Sequence, residues 1–199
     1  MTKNIDYYLS LISPWSYLGH QRLLDIAEKH GANIRIFPVD FAVIFPSTGG
    51  IPLPKRSPQR QAYRLQELSR WRQHLDIPLN LDPRYFPVSD KLAATMVVNL
   101  REQEPEAAIR LAGACLRACW LEERNISDRE TLVRIAEENQ LDGDVLLAAS
   151  DDTQKIIAED SKKAVERGIF GAPSYVVGEH IFWGQDRLDF LDRALAGDS

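Results

Sequence analysis

The chain has 199 residues, 44% of them hydrophobic and 27% charged, which suits one large globular domain or a smaller one carrying an insertion. Its net charge of −5 argues against general nucleic-acid or anionic-membrane binding, and no apolar run is long enough to span a bilayer. The polar start, Met1 to Asp6, carries no secretory pattern, so a cytoplasmic location with reduced thiols is expected.

Ile5 to Ile12 reads as a first strand, rich in β-branched and aromatic residues. A helix follows from Ser13 to His30: Ser13 suits the N-cap, Pro14 the first helical position, and Gly31 the residue after the end. Asn33 to Val39 alternates as a second strand, which makes a right-handed βαβ unit. Phe45 to Pro58, rich in Pro and Gly, predicts a long loop.

From Ser57 to about Ala164 the pattern is helical. A helix starts at Ser57-Pro58, Ile77 to Val88 is irregular, and Ser89 caps the next helix. Pro105 opens a helix reaching about Arg124, and Ser127 with Glu130 forms a capping box for another. Two more helices are expected over Asp142 to Ala149 and Asp151 to Arg167. Cys115 and Cys119 share a helix face with Ile109, Ala112 and Leu116 and read as core; no metal site is expected. Strand character returns at Ser174 to Val177, turns at Gly178-Glu179, and returns over His180 to Trp183. Asp186 then opens a last helix ending at Gly197.

The order is βαβ, a helical block, then ββα. The fold class predicted is therefore α/β, a thioredoxin fold interrupted by a large all-helical insertion. Residues 1–45 and 168–199 form the thioredoxin-like part and 46–167 the insertion. In that fold the turn after the first strand is the reactive site, where redox members carry Cys-x-x-Cys. Here it reads Ser13-Pro14-Trp15-Ser16, so disulfide exchange through this motif is excluded. What remains is a hydroxyl at the positive end of a helix, able to donate to the thiolate of a bound molecule. Ala172-Pro173 precedes the third strand, where thioredoxin folds place a cis-proline facing the reactive turn, with the backbone of Ala172 free to clamp a peptide-like ligand. Gln185 and Asp186 add polar grip for an α-amino-acid head group.

Three blocks in this order, Ser13-Pro14-Trp15-Ser16-Tyr17-Leu18-Gly19, Gly168-Ile169-Phe170-Gly171-Ala172-Pro173-Ser174-Tyr175 and Phe182-Trp183-Gly184-Gln185-Asp186-Arg187-Leu188, resemble the 2-hydroxychromene-2-carboxylate isomerase family. That family is related to kappa-class glutathione transferases and DsbA-type proteins. The resemblance implies glutathione as cofactor, with Ser13 at its sulfur, Ala172 and Pro173 at its backbone, Gln185 and Asp186 at its γ-glutamyl end, and Arg60 also among the cofactor-binding residues. Arg60 stands where relatives carry a Lys three residues before a Tyr, here Tyr63, and Ser89 follows Phe86-Pro87-Val88 where relatives place an Asn. Arg and Lys differ in geometry, so these departures bear on the substrate side. The implied activity is the glutathione-dependent conversion of 2-hydroxychromene-2-carboxylate to trans-o-hydroxybenzylidenepyruvate, or of a close intermediate of aromatic-ring breakdown, with Arg60 on the carboxylate and Trp15, Tyr17, Tyr63 and Trp183 around the pocket, in a homodimer. The alternatives are a general kappa-like transferase or peroxidase, and a non-catalytic glutathione-binding module.

Overall fold

The computed structural model describes residues 3–148 and 150–197. The chain opens with β1 (Asn4–Leu9), α1 (Pro14–His30) and β2 (Asn33–Pro38). It continues through α2 (Phe41–Thr48), a 3₁₀ turn at Leu53–Lys55, α3 (Pro58–His74), α4 (Lys91–Leu100) and α5 (Pro105–Trp120). Then come α6 (Arg129–Glu138), α7 (Gly143–Leu147) and α8 (Ser150–Glu166). It closes with β3 (Ser174–Val177), β4 (His180–Trp183), a 3₁₀ turn at Gln185–Arg187 and α9 (Leu188–Ala196).

The sheet runs β2-β1-β3-β4, with β1 parallel to β2 and antiparallel to β3, and β3 antiparallel to β4. This is the thioredoxin arrangement expected from the order βαβ…ββα. Because side chains alternate along a strand, central β1 feeds both faces. Ile5, Tyr7 and Leu9 join Leu18 and Leu23 of α1, the apolar faces of α4, α5 and α6, and Leu191 of α9 in one continuous core. Tyr8 packs on the opposite face with Val39, Ile44 of α2, Ala164 of α8 and Val176. Asp6 is buried on that face too, where it accepts from Arg35 Nε at 2.5 Å and from Arg167 Nη1, tying β1 to β2 and to the residue after α8. Cys115 and Cys119 lie in the main core, where burial pushes both thiols up to about 12.

Four local expectations are corrected. β1 ends at Leu9, because residues 10–12 turn to meet the insertion. The loop expected from Phe45 is preceded and partly replaced by α2, capped by the Asp40 carboxylate on the Ala42 N–H at 2.8 Å and closed by left-handed Gly49. Its Pro46 disguised the helix as a loop. The N-cap of α6 is Asp128, which accepts from the Thr131 N–H at 2.8 Å, while the Ser127 hydroxyl donates to Asn125. Asp186 lies inside a 3₁₀ turn begun by Gly184 at φ +101°, and α9 starts two residues later. The expected helix end at Ala149 lies outside the described residues.

Candidate active site

Ser13 is the N-cap of α1 in extended backbone geometry (φ −82°, ψ 122°), and its Oγ accepts from the Ser16 N–H at 3.2 Å. That bond uses a lone pair and leaves the hydroxyl proton free to donate. Pro14 at the first helical position lacks an N–H that would have had no helical partner. The hydroxyl therefore sits in the positive field of the helix start.

The turn between β1 and Ser13 is pinned from the insertion by three hydrogen bonds. Asp90 Oδ2 accepts from Ser10 Oγ at 2.8 Å and from the Leu11 N–H at 3.0 Å. Trp120 Nε1 donates to the Ile12 carbonyl at 3.3 Å, and the Tyr17 hydroxyl donates to the Pro78 carbonyl at 2.7 Å. Asp90 occupies the N-cap position of α4 yet makes no side-chain cap there; Ser89 Oγ accepts weakly from the Lys91 N–H at 3.4 Å instead. Desolvation raises the Asp90 carboxyl above its ordinary range, opposed by the bonds from Ser10 and Leu11.

The Ala172-Pro173 bond is cis. Tyr8 pairs with Ser174 across β1 and β3, so Leu9 and Pro173 leave the same end of adjacent strands. Among the described residues, the N–H and C=O of Ala172 make no hydrogen bond. The Gly184 N–H donates to the Pro173 carbonyl at 2.8 Å, which brings the 184–186 turn against this loop. Gln185 is buried against Gly19 of α1, with its Oε1 accepting from Arg22 Nη1 at 2.6 Å. Asp186 is partly exposed and accepts from Arg187 at 2.6 Å. Of these two residues, Asp186 reaches solvent and Gln185 is engaged inside.

Trp15 faces an open cleft of about 340 Å³ with Arg56, Arg60, Tyr63, Arg64 and Glu67; Ser13 is not among the lining residues. Arg60 and Tyr63 are exposed there. Arg64 goes deeper, with its guanidinium 5.3 Å from the Phe86 ring centroid and 5.8 Å from that of Trp120. Nothing in the local sequence marks Arg64; its seat on two rings follows from chain folding. Trp183 is away from this cleft, stacked edge-on against Phe170 at 4.7 Å and over Gly171, whose missing Cβ would lie 2.3 Å from the indole nitrogen.

Beneath the first turns of α1 lie Tyr7, Ser16, His20 and Tyr175, all buried. Burial raises both phenols and pushes His20 down to about 4, so all three stay neutral at pH 7.

The description of the DSBA-like thioredoxin domain family matches residues 4–196. A 2-hydroxychromene-2-carboxylate isomerase of Sphingobium xenophagum is 33% identical over 198 residues, covering 98% of this chain and 99% of the relative. Glutathione S-transferase kappa 1 of Caenorhabditis elegans is 26% identical, covering 94% of this chain and 88% of its own. A solved 2-hydroxychromene-2-carboxylate isomerase superposes with a TM-score of 0.81 at 26% identity, over 98% of this chain and 95% of that one. With its Ser-for-Cys turn set in a complete thioredoxin frame, the chain belongs to the 2-hydroxychromene-2-carboxylate isomerase family of DsbA-like thioredoxin-domain proteins.

Proposed function

We propose that this protein is a glutathione-dependent isomerase that interconverts 2-hydroxychromene-2-carboxylate and trans-o-hydroxybenzylidenepyruvate, or a close intermediate of aromatic-ring breakdown. The observation that carries this reading is the pairing of a free Ser13 hydroxyl proton with the unbonded Ala172 backbone at one end of the sheet. That donor set fits a cysteinyl unit: Ala172 offers one N–H and one C=O to its main chain, and Ser13 offers a proton to its sulfur. Asp186 is the exposed acceptor for an α-amino group at the far end.

Glutathione, when bound, supplies a thiol that adds reversibly to a conjugated double bond, so that the bond between the ring and the oxo acid can rotate. The chain's own work is to keep that sulfur ionised and in place. Ser13 and the start of α1 favour negative charge. A charge-assisted hydrogen bond contributes roughly 1.5–3 kcal/mol, equivalent to one to two pKa units of thiol acidification. Asp90 and Trp120 hold the backbone that carries Ser13, so the hydroxyl is positioned before the ligand arrives.

The test is the absorbance change of 2-hydroxychromene-2-carboxylate with purified protein, with and without glutathione. Conversion that requires glutathione is expected; no conversion in protein shown to bind glutathione contradicts the reading. The kappa-class relative makes one second reading specific, a general transferase. It predicts conjugation of chloro-dinitrobenzene without selective turnover of the chromene.

A further inference from the structure

We infer that Arg64, rather than Arg60, binds the carboxylate of the substrate, and that the cleft beside the first turn of α1 is an acceptor site for a planar aryl 2-oxo acid. This rests on the isomerase reading above and names the substrate contact within it.

The cleft brings three guanidinium groups and one carboxylate together, and most of them are engaged or solvated. Arg56 Nε donates to the Ile51 carbonyl at 2.8 Å. Glu67 accepts from Arg70 Nη1 at 2.6 Å, so the one acidic side chain of the cleft already has a cation. Arg60 stands exposed, where an ion pair contributes little.

Arg64 differs from all of these. It is partly buried, it lies over Phe86 and Trp120, and it has no hydrogen-bond acceptor or ion pair among the described residues. Burial and the nearby Arg56 push its pKa down to about 10. A guanidinium carries five donors in a flat fork that matches a carboxylate in two parallel bonds. With its charge held over the two rings and its donors unused among the described residues, Arg64 is preorganised for a carboxylate. Phe86 and Trp120 hold it by the attraction of a cation to a ring face.

The position ties this cation to the reactive turn. The Trp120 ring beneath Arg64 donates to the carbonyl of Ile12, the residue before Ser13. Trp15, from the first turn of α1, forms a wall of the same cleft. An acid held by Arg64 therefore lies alongside Trp15, at the rim of the turn that carries Ser13. The ring–oxo-acid shape of the proposed substrate matches an aromatic wall next to a cation.

The test uses binding as well as turnover, so the two readings fail separately. The whole protein is titrated with benzylidenepyruvate and with its uncharged methyl ester, followed by tryptophan fluorescence, and separately with glutathione by calorimetry. Wild type is expected to prefer the acid. Arg64→Met is expected to weaken the acid by about 10- to 100-fold while changing the ester and glutathione by less than about 3-fold. Arg64→Lys, which keeps the charge and loses the fork, is expected to fall between. Retained glutathione affinity and an unchanged circular dichroism spectrum show that the variants fold. The inference is overturned if wild type binds acid and ester alike, if Arg64→Met leaves the preference intact, or if Arg60→Met rather than Arg64→Met erases it. Preferential acid binding that depends on Arg64, without isomerisation, overturns the isomerase reading and leaves the acid site standing.

Discussion

On the sheet side of the Ser13 turn, the groups offered are a hydroxyl and the backbone of Ala172, positioned by geometry within a few residues: an N-cap, a strand register, a left-handed Gly184. On the helical side, the groups are side chains that reach across the chain, Asp90 to Ser10 over 80 positions and Trp120 to Ile12 over 108. Backbone and hydroxyl groups recognise what peptide-like thiols have in common. Arg64 on its two rings recognises one charge in one place. The first side suits a shared cofactor and the second a particular substrate, so the two should separate under mutation.

The largest separation is expected at Ser13. Ser13→Ala removes both the cap and the donor. Turnover should fall about 10- to 100-fold, from the loss of roughly 1.5–3 kcal/mol of charge-assisted bonding, whereas the loss of the cap lowers stability by only about 0.5–2 kcal/mol. Steady-state rates and denaturant midpoints on the same preparation check both; a stability loss alone would leave Ser13 as nothing more than a cap.

Acid should act next, through a residue that belongs to neither side. His20 is buried between Tyr7 and Gly113, with a folded pKa of about 4 against about 6.5 when unfolded. Its neutral form is the folded one. The stability it contributes is complete above the unfolded value and is lost as pH falls from about 6.5 towards 4, by at most about 3 kcal/mol. Urea midpoints in this window should drop more steeply for wild type than for His20→Asn.

Asp90→Ala removes a helical-side support of the Ser13 turn while leaving the Ser13 hydroxyl and the Ala172 backbone in the chain. It leaves the Ser10 hydroxyl and Leu11 N–H without their acceptor, at about 1–3 kcal/mol. Asp90→Asn keeps an acceptor and should lose less. If Asp90 positions the turn, kcat falls in step with the lost bond while the Kd for glutathione moves little.

Gly184→Ala is the smallest change and acts on the sheet side alone. A Cβ there would meet Asp186 Oδ1 at 2.4 Å in a backbone region that disfavours side chains. About 1–2 kcal/mol of stability should go, and glutathione affinity should fall while affinity for the aryl acid is kept.

This same division marks what could be read from residues alone. Ser13-Pro14, Gly31, the Gly178-Glu179 turn and the alternation of β2 announce themselves locally, and the sheet assembled from them has the expected order. Ala172-Pro173 is legible from its position just before β3. The helical side was far less legible. Pro46 and the glycines after it hid α2, because composition there reads as loop while the Asp40 cap and packing on α8 make a helix. The sequence puts the cap of α4 at Ser89, whereas Asp90 holds the N-cap position and turns its carboxylate to the distant turn. Arg60 and Arg64 share one face of α3, and the family pattern points to Arg60; only the arrival of Phe86 and Trp120 beneath Arg64 sets Arg64 apart.

The most direct measurement is a pH titration of thiolate absorbance in the protein–glutathione complex, for wild type and Ser13→Ala. In wild type the bound thiol should ionise well below its free-solution value, and removing the Ser13 hydroxyl should raise that midpoint by about one to two units. Identical midpoints in the two proteins, or a bound thiol no more acidic than free glutathione, would contradict the account.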